Sequence, residues 1–147
     1  MDDDDTRERN RQLVSRYFTE VLSGGRLETI DELMRSDFVF HISTIPDGVR
    51  GIDAYKDFVR TLRTAFPDGV FAPERLIAEE TRAAARWTFT GTHRGPFLGV
   101  APTGKTITDE GIDIFHFADG RITDIWANED AFGLMRQLGG IPADVAG

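Results

Sequence analysis

Hydrophobic positions in the first half of the chain recur at helical spacing. Over residues 6–22 they are Leu13, Val14, Tyr17, Phe18, Val21 and Leu22, an apolar stripe on one side of a helix. Gly24 and Gly25 end it. Leu27, Ile30, Leu33 and Met34 repeat the pattern and predict a short second helix over 27–34. The run DFVFHIS, 37–43, predicts a strand, and Pro46, Asp47 and Gly48 predict a loop over 44–51. Tyr55, Phe58, Val59, Leu62 and Phe66 share one face of a third helix over 52–66, which Pro67, Asp68 and Gly69 close.

The second half changes period. Segments 70–80, 82–93, 105–118 and 121–129 are rich in β-branched and aromatic residues and predict strands. Asp119-Gly120 is the turn pair of a tight hairpin. A short terminal helix is predicted over 131–138, stopped by Gly139 and Gly140. Helices first and antiparallel strands afterwards predict an α+β fold rather than an alternating α/β one.

Composition adds limits. A chain of 147 residues is the size of one domain, expected over 10–140. The aspartate run Asp2–Asp5 predicts a solvated, disordered acidic tail over 1–9, and 141–147 reads as a C-terminal tail. A net charge of -8 disfavours nucleic acid and anionic membrane surfaces, both of which need basic patches. There is no cysteine, which removes disulfides and thiolate metal sites and fits the cytosol. No signal-like h-region and no apolar run near the ~20 residues of a membrane span is visible. The expectation is a cytoplasmic protein. The three histidines, His41, His93 and His116, form no metal-binding spacing, and no nucleophile elbow or phosphate-binding glycine pattern occurs.

Several phrases go further. YFTEVLSGGRLETIDELMRSDFVFH, RWTFTGTHRGPFLGVAPTGKTIT, GIDIFHFADGRITDIW and DAFGLMRQLG resemble the SnoaL-like polyketide cyclase family. That family sits in a superfamily with nuclear transport factor 2, scytalone dehydratase, ketosteroid isomerase and limonene epoxide hydrolase. The resemblance runs from about Asn10 to Gly140. It implies N-terminal helices over a strongly curved mixed or antiparallel sheet, forming a cone-shaped barrel with an internal pocket. It also implies a homodimer through the outer face of the sheet, which suits late strands that are apolar on both faces. On 105–118, Asp113, Phe115 and Phe117 share one face while Ile112, Ile114 and His116 share the other.

The family chemistry implied is acid/base catalysis without metal or cofactor. A pocket carboxylate removes a carbon-bound proton from a polyketide ester, an intramolecular aldol closes a ring, and the proton is returned. Such a carboxylate needs a low-dielectric pocket to raise its pKa, and the enolate needs a donor. Asp113, mid-strand among Phe115 and Phe117, is the first candidate. Aligned with the family, it falls where some members carry a strand histidine of the active site. The structural reading is a buried Asp bonded to a neighbouring strand. Asp130 is the second: it is either the strand-end acid/base implied by the resemblance or the N-cap of the last helix. If that acid aligns nearer Ala127, the family carboxylate is absent from this chain. His41, at the end of the first strand, is the third catalytic candidate, against a satisfied strand-end histidine.

Substrate contacts are expected from Tyr17, Phe40, Trp87, Phe89, His93, Phe115, Trp126 and Asn128. Trp87, Phe89 and His93 share a strand face expected to line the cone, with the 95–102 loop closing its rim. Trp126 is read as pocket wall and Asn128 as a carbonyl donor, against packing and strand-end bonding; Phe38 and Phe40 make the mouth apolar. The expected partner is a small, apolar, oxygenated molecule. Epoxide hydrolysis, isomerisation or dehydration in the same pocket, and non-catalytic binding, remain the alternatives.

Overall fold

The computed structural model describes residues 2–142; most of the expected C-terminal tail lies outside them. Helix α1 (Asp3–Arg16) runs straight into a π-helical segment, Tyr17–Ser23. Then follow α2 (Leu27–Leu33), β1 (Met34–Ile42), β2 (Ile45–Arg50), α3 (Ile52–Ala65), β3 (Val70–Ala78), β4 (Arg82–Thr92), β5 (Thr106–Ala118), β6 (Arg121–Glu129) and α4 (Ala131–Leu138).

The residues expected as a disordered tail instead make the first turns of α1. Asp2 caps it, accepting from the Asp5 N–H at 2.8 Å, and Asp3, Asp4 and Asp5 occupy the first turn, where negative charge opposes the helix dipole. The helix is also tied to the sheet. Arg7 pairs with Glu80 at 2.7 Å, and the buried Asn10 donates to the Glu79 and Glu80 carbonyls at 2.8 and 3.0 Å. Composition suggested solvation; tertiary anchoring overrides it.

The expected loop over 44–51 is a second departure. Its residues 45–50 form β2, antiparallel to β1 through Phe40↔Val49 and Ile42↔Ile45. β2 is an edge strand, so Pro46 removes no ladder bond that a second neighbour would need.

The six strands form one mixed sheet in the order β2-β1-β6-β5-β4-β3. β1 and β6 pair in parallel; every other neighbouring pair is antiparallel. Register shifts in β1, β3 and between β5 and β6 curl the sheet. Asp119 and Gly120 both take positive φ, 54° and 74°, the turn geometry that suits a two-residue hairpin. The α+β class and the curved sheet under N-terminal helices are as expected.

The concave face carries the core. Phe38 and Phe40 of β1, Trp87 and Phe89 of β4, Phe115 and Phe117 of β5, and Ile122 and Ile125 of β6 are buried against Phe18, Val21, Tyr55 and Val59 of the helices. The convex face also carries apolar groups. Ile77, Ala84, Ile114, Trp126 and His41 lie side by side in register across five strands. Ile77 is 68% exposed, Ile114 44% and Trp126 37%.

Candidate functional site

Between the helices and the concave face lies a cavity of about 190 Å³. Its wall is almost entirely apolar. Phe40 and Ile42 come from β1, Phe58 and Leu62 from α3, Phe71 from β3 and Trp87 from β4; Tyr17 and Leu22 come from the π-helical segment. Tyr17, Phe18, Val21 and Leu22 of that segment are all buried, the inward stripe that their spacing predicts. The loop after β4 closes one side. Its Arg94 and Gly95 N–H groups donate to the Ala65 carbonyl at 2.8 and 3.2 Å, and Phe97 and Leu98 complete the wall. The expected rim is therefore where the sequence placed it.

Two carboxyl groups enter this wall, Asp113 from β5 and Glu129 from β6. Asp113 is 3% exposed. Trp87 Nε1–H donates to its Oδ1 at 2.9 Å. Burial pushes the Asp113 carboxyl up to about 7, against a smaller lowering by the Trp87 bond. No cation offsets the burial: Arg86 lies on the convex side, held by Glu74 and Glu110 at 3.4 and 3.3 Å. The indole reaches Asp113 across Gly111, its register partner. A Cβ at Gly111 would stand 2.5 Å from Trp87 Cζ2 and 2.6 Å from the Asn128 carbonyl oxygen, so only glycine lets the ring lie there.

Glu129 pairs with Gly111 in register and thus projects beside Asp113. It shares a hydrogen bond with Asp109, the next inward residue of β5 towards its start. Burial raises both carboxyls. The Glu129 bond and charge raise Asp109 further. The charges of Asp113 and Asp130 add to the rise at Glu129. Asp109 also borders a surface groove with Thr108, Asp130 and Gln137. The pair therefore bridges cavity wall and solvent.

Tyr17 meets Tyr55 of α3 hydroxyl to hydroxyl at 2.5 Å, both buried. Their pKa values are raised, by burial first and then in part by the charge of Asp113.

Four expected site residues therefore meet at one cavity: Asp113, Tyr17, Phe40 and Trp87. The others do not reach it. His41 is on the convex face, with Nε2 3.0 Å from Asp124 Oδ2 and its ring stacked on Trp126 at 4.2 Å. Trp126 and Asn128 share that face. Burial and the charge of Arg82 lower the pKa of His116, whose ring also packs on Trp126. Asp130 is the N-cap of α4, accepting from the Gly133 N–H at 3.0 Å. Phe89 and Phe115 are core behind the wall, packed on Phe66 and on Tyr17 respectively. His93 is buried rather than at the rim; its Nδ1 accepts from the Thr103 N–H at 3.2 Å and fastens the loop.

Ile122 and Ile125 are both buried although three apart, because a bulge between Ile122 and Asp124 breaks the alternation. Past it the inward residues are Ile125, Ala127 and Glu129. Counting back by twos from Asp113 gives Gly111 and Asp109, so the sequence did carry a signal for Asp109. Ala127 faces the cavity opposite Asp113. Of the two inward positions at the end of β6, Ala127 is thus an alanine and the last, Glu129, carries the carboxyl.

Among the described residues, no group of three His, Cys, Asp or Glu side chains is arranged to hold a metal ion, and no helix is long and apolar enough to cross a membrane.

Comparisons with known proteins agree with the geometry. The family model for SnoaL-like polyketide cyclase matches residues 12–138. The chain is similar to aklanonic acid methyl ester cyclase of Streptomyces galilaeus, 26% identical over 125 residues, covering 84% of this chain and 87% of that protein. It is similar to nogalonic acid methyl ester cyclase of Streptomyces nogalater, 28% identical over 117 residues, covering 78% and 87%. A SnoaL-like polyketide cyclase candidate from Jannaschia sp. CCS1, 26% identical, superposes with a TM-score of 0.85 over 97% of this chain and 99% of that one.

Proposed function

The chain belongs to the SnoaL-like polyketide cyclase family, and from that premise we propose that it closes a ring in a polyketide ester by an intramolecular aldol reaction, with Asp113 as acid and base. The observation that carries this reading is Asp113 itself: a carboxyl 3% exposed in an apolar cavity, held by the Trp87 N–H and with its pKa raised to about 7. A carboxyl so placed exists in both protonation states near neutrality, which is what a group that must take and return a proton requires.

The steps balance without another reactant. The Asp113 carboxylate takes a proton from the carbon between two carbonyls. The resulting enolate carbon attacks a further carbonyl elsewhere in the same molecule, forming the C–C bond and turning that carbonyl into an alkoxide. The alkoxide then recovers the proton from Asp113, and the product is an isomer of the substrate. The Trp87 bond engages Oδ1, leaving Oδ2 for the substrate proton, and it fixes the carboxyl plane. The apolar wall excludes water from the enolate. Phe40, Phe58, Phe71 and Trp87 give flat surfaces suited to an aromatic or polyenone ligand. The chemistry needs no metal or cofactor.

The same reading assigns a homodimer, with a second copy covering the row from Ile77 to His41 on the convex face. Adjacent exposed apolar side chains in one register row support it.

The test is turnover. Aklanonic and nogalonic acid methyl esters, the compounds named for the two relatives, are offered to the wild type and to Asp113→Asn, and ring-closed product is followed by chromatography. Product from the wild type with at least a hundredfold loss in the variant is expected. Equal turnover by both proteins would exclude Asp113 as the base. No turnover of either ester, with both bound in the cavity, would favour a binding protein.

A further inference from the structure

From the two buried hydroxyls at the cavity wall we infer that Tyr55 donates to Tyr17, and that Tyr17 in turn donates its own proton into the cavity, where it holds the oxygen of an aryl ketone or its enolate. The inference rests on the cyclase reading for its catalytic meaning, since it supplies the donor that the developing enolate needs.

The argument is an accounting of protons. Two hydroxyls carry two protons, and the contact between them, 2.5 Å between oxygens, uses one. The other proton must point elsewhere. Tyr55 is 0% exposed, sits behind the cavity wall rather than in it, and makes its side-chain hydrogen bond to Tyr17. The rings around it, Phe38, Phe40 and Phe58, offer no oxygen acceptor. If Tyr17 were the donor, the Tyr55 proton would be left in that aromatic shell at the full cost of a buried, unpaired donor. With Tyr55 as donor, the spare proton belongs to Tyr17, which borders the cavity. There it meets whatever a ligand presents.

The donor is aimed by its supports. Tyr17 is held edge-on by Phe18 and Phe115, with centroids at 5.2 and 5.6 Å, and its oxygen is pinned by Tyr55. A donor fixed before the substrate arrives costs no reorganisation when charge develops on the carbonyl. Accepting from Tyr55 also polarises the Tyr17 O–H and strengthens the bond it gives. Asp113 lies near enough for its charge to disfavour a phenolate at either tyrosine, so both hydroxyls stay donors. Base and donor thus flank one cavity: Asp113 takes the carbon proton while Tyr17 receives the negative charge on oxygen. Tyr17 is the group that touches substrate; Tyr55 is a positioning residue that acts through it.

The direction of donation gives a test with opposite signs. The probe is acetophenone carrying carbon-13 at its carbonyl, bound to the intact protein and read by its infrared carbonyl band. In the wild type the band lies at lower frequency than for the same ketone in hexane. Tyr17→Phe moves it back towards the hexane position. Tyr55→Phe lowers the shift only in part, because Tyr17 still donates but is less polarised. In the esters' turnover, Tyr55→Phe lowers kcat several-fold with KM little changed.

A larger shift in Tyr55→Phe than in the wild type would overturn the inference, since it means Tyr17 had been donating to Tyr55 and was released. An unchanged band in Tyr17→Phe, or no binding of the ketone by the wild type, would overturn it too. Should Tyr17→Phe fail to fold, the sign in Tyr55→Phe decides alone. Asp113→Asn keeps the ketone shift while losing turnover, so failure of the base and failure of the donor are read separately.

Discussion

The behaviour of single residues follows from how each is solvated. Asp113 has a partner for one oxygen and no cation, and its pKa rises to about 7. The folded state therefore binds a proton that the unfolded chain has released, over the interval from about pH 4 to about pH 7. The stability contribution is fully present below the unfolded value and is lost as pH rises through the folded one. Roughly 4 kcal/mol is at stake for a shift of this size. Asp113→Asn keeps an acceptor for Trp87 but cannot ionise, so its urea midpoint should vary less between pH 4.5 and 8, and at pH 8 it should exceed that of the wild type. Parallel profiles would mean that Asp113 titrates normally. Trp87→Phe removes the one bond that lowers the Asp113 pKa, and carboxyl-carbon NMR should place its titration higher than in the wild type.

Elements decide which residues meet. The helical stripe that named Tyr17 and the alternation that named Asp113 and Trp87 were plain in the sequence, because each lies in a regular part of its element. Trp126 and Asn128 face outward because a bulge that no residue pattern announces shifts the alternation of β6 after Ile122, and His41 of β1 faces outward beside Trp126. Tyr55 was seen only as one of a helix stripe; its partner comes from another element, so local pattern could not reveal the bond. β2 was hidden by turn residues that an edge strand tolerates, and α1 began earlier than composition allowed because Asn10 and Arg7 anchor it. Gly111 shows how closely β4 and β5 are fitted at the site. Gly111→Ala should displace the indole and cost about 1–3 kcal/mol, and the Asp113 titration should shift with it. A melting temperature equal to that of the wild type would show that the ring has room. Asp130→Ala removes a helix cap and should cost about 1 kcal/mol, with turnover otherwise retained; a large loss of turnover at full stability would return Asp130 to the chemistry.

At the scale of the molecule, the two faces of one sheet carry two tasks. The concave face holds the cavity, and the convex face carries the apolar row proposed to meet a second copy. Sedimentation should report a dimer for the wild type and a monomer for Ile114→Lys, with the Asp113 titration unchanged. A monomeric wild type at high micromolar concentration would remove the dimer without touching the site. The α+β class and the helix order were legible early because they follow from period and length, and the pocket was implied by the family resemblance. The contents of the pocket depended on register, which forms between strands rather than along them.

The parallel pairing of β1 with β6 also sets an order in time. Phe40 finds its neighbour Ile125 only after nearly the whole chain has been made. During synthesis, α1 to β5 must wait with an apolar concave face and no wall at Ala127 and Glu129. Contacts so distant in sequence form slowly, and the waiting surface is of the kind that chaperones hold and that aggregates when crowded. A ribosome stalled just before β6 should therefore present a nascent chain that proteases cut readily, and release of the last two elements should protect it in a single step.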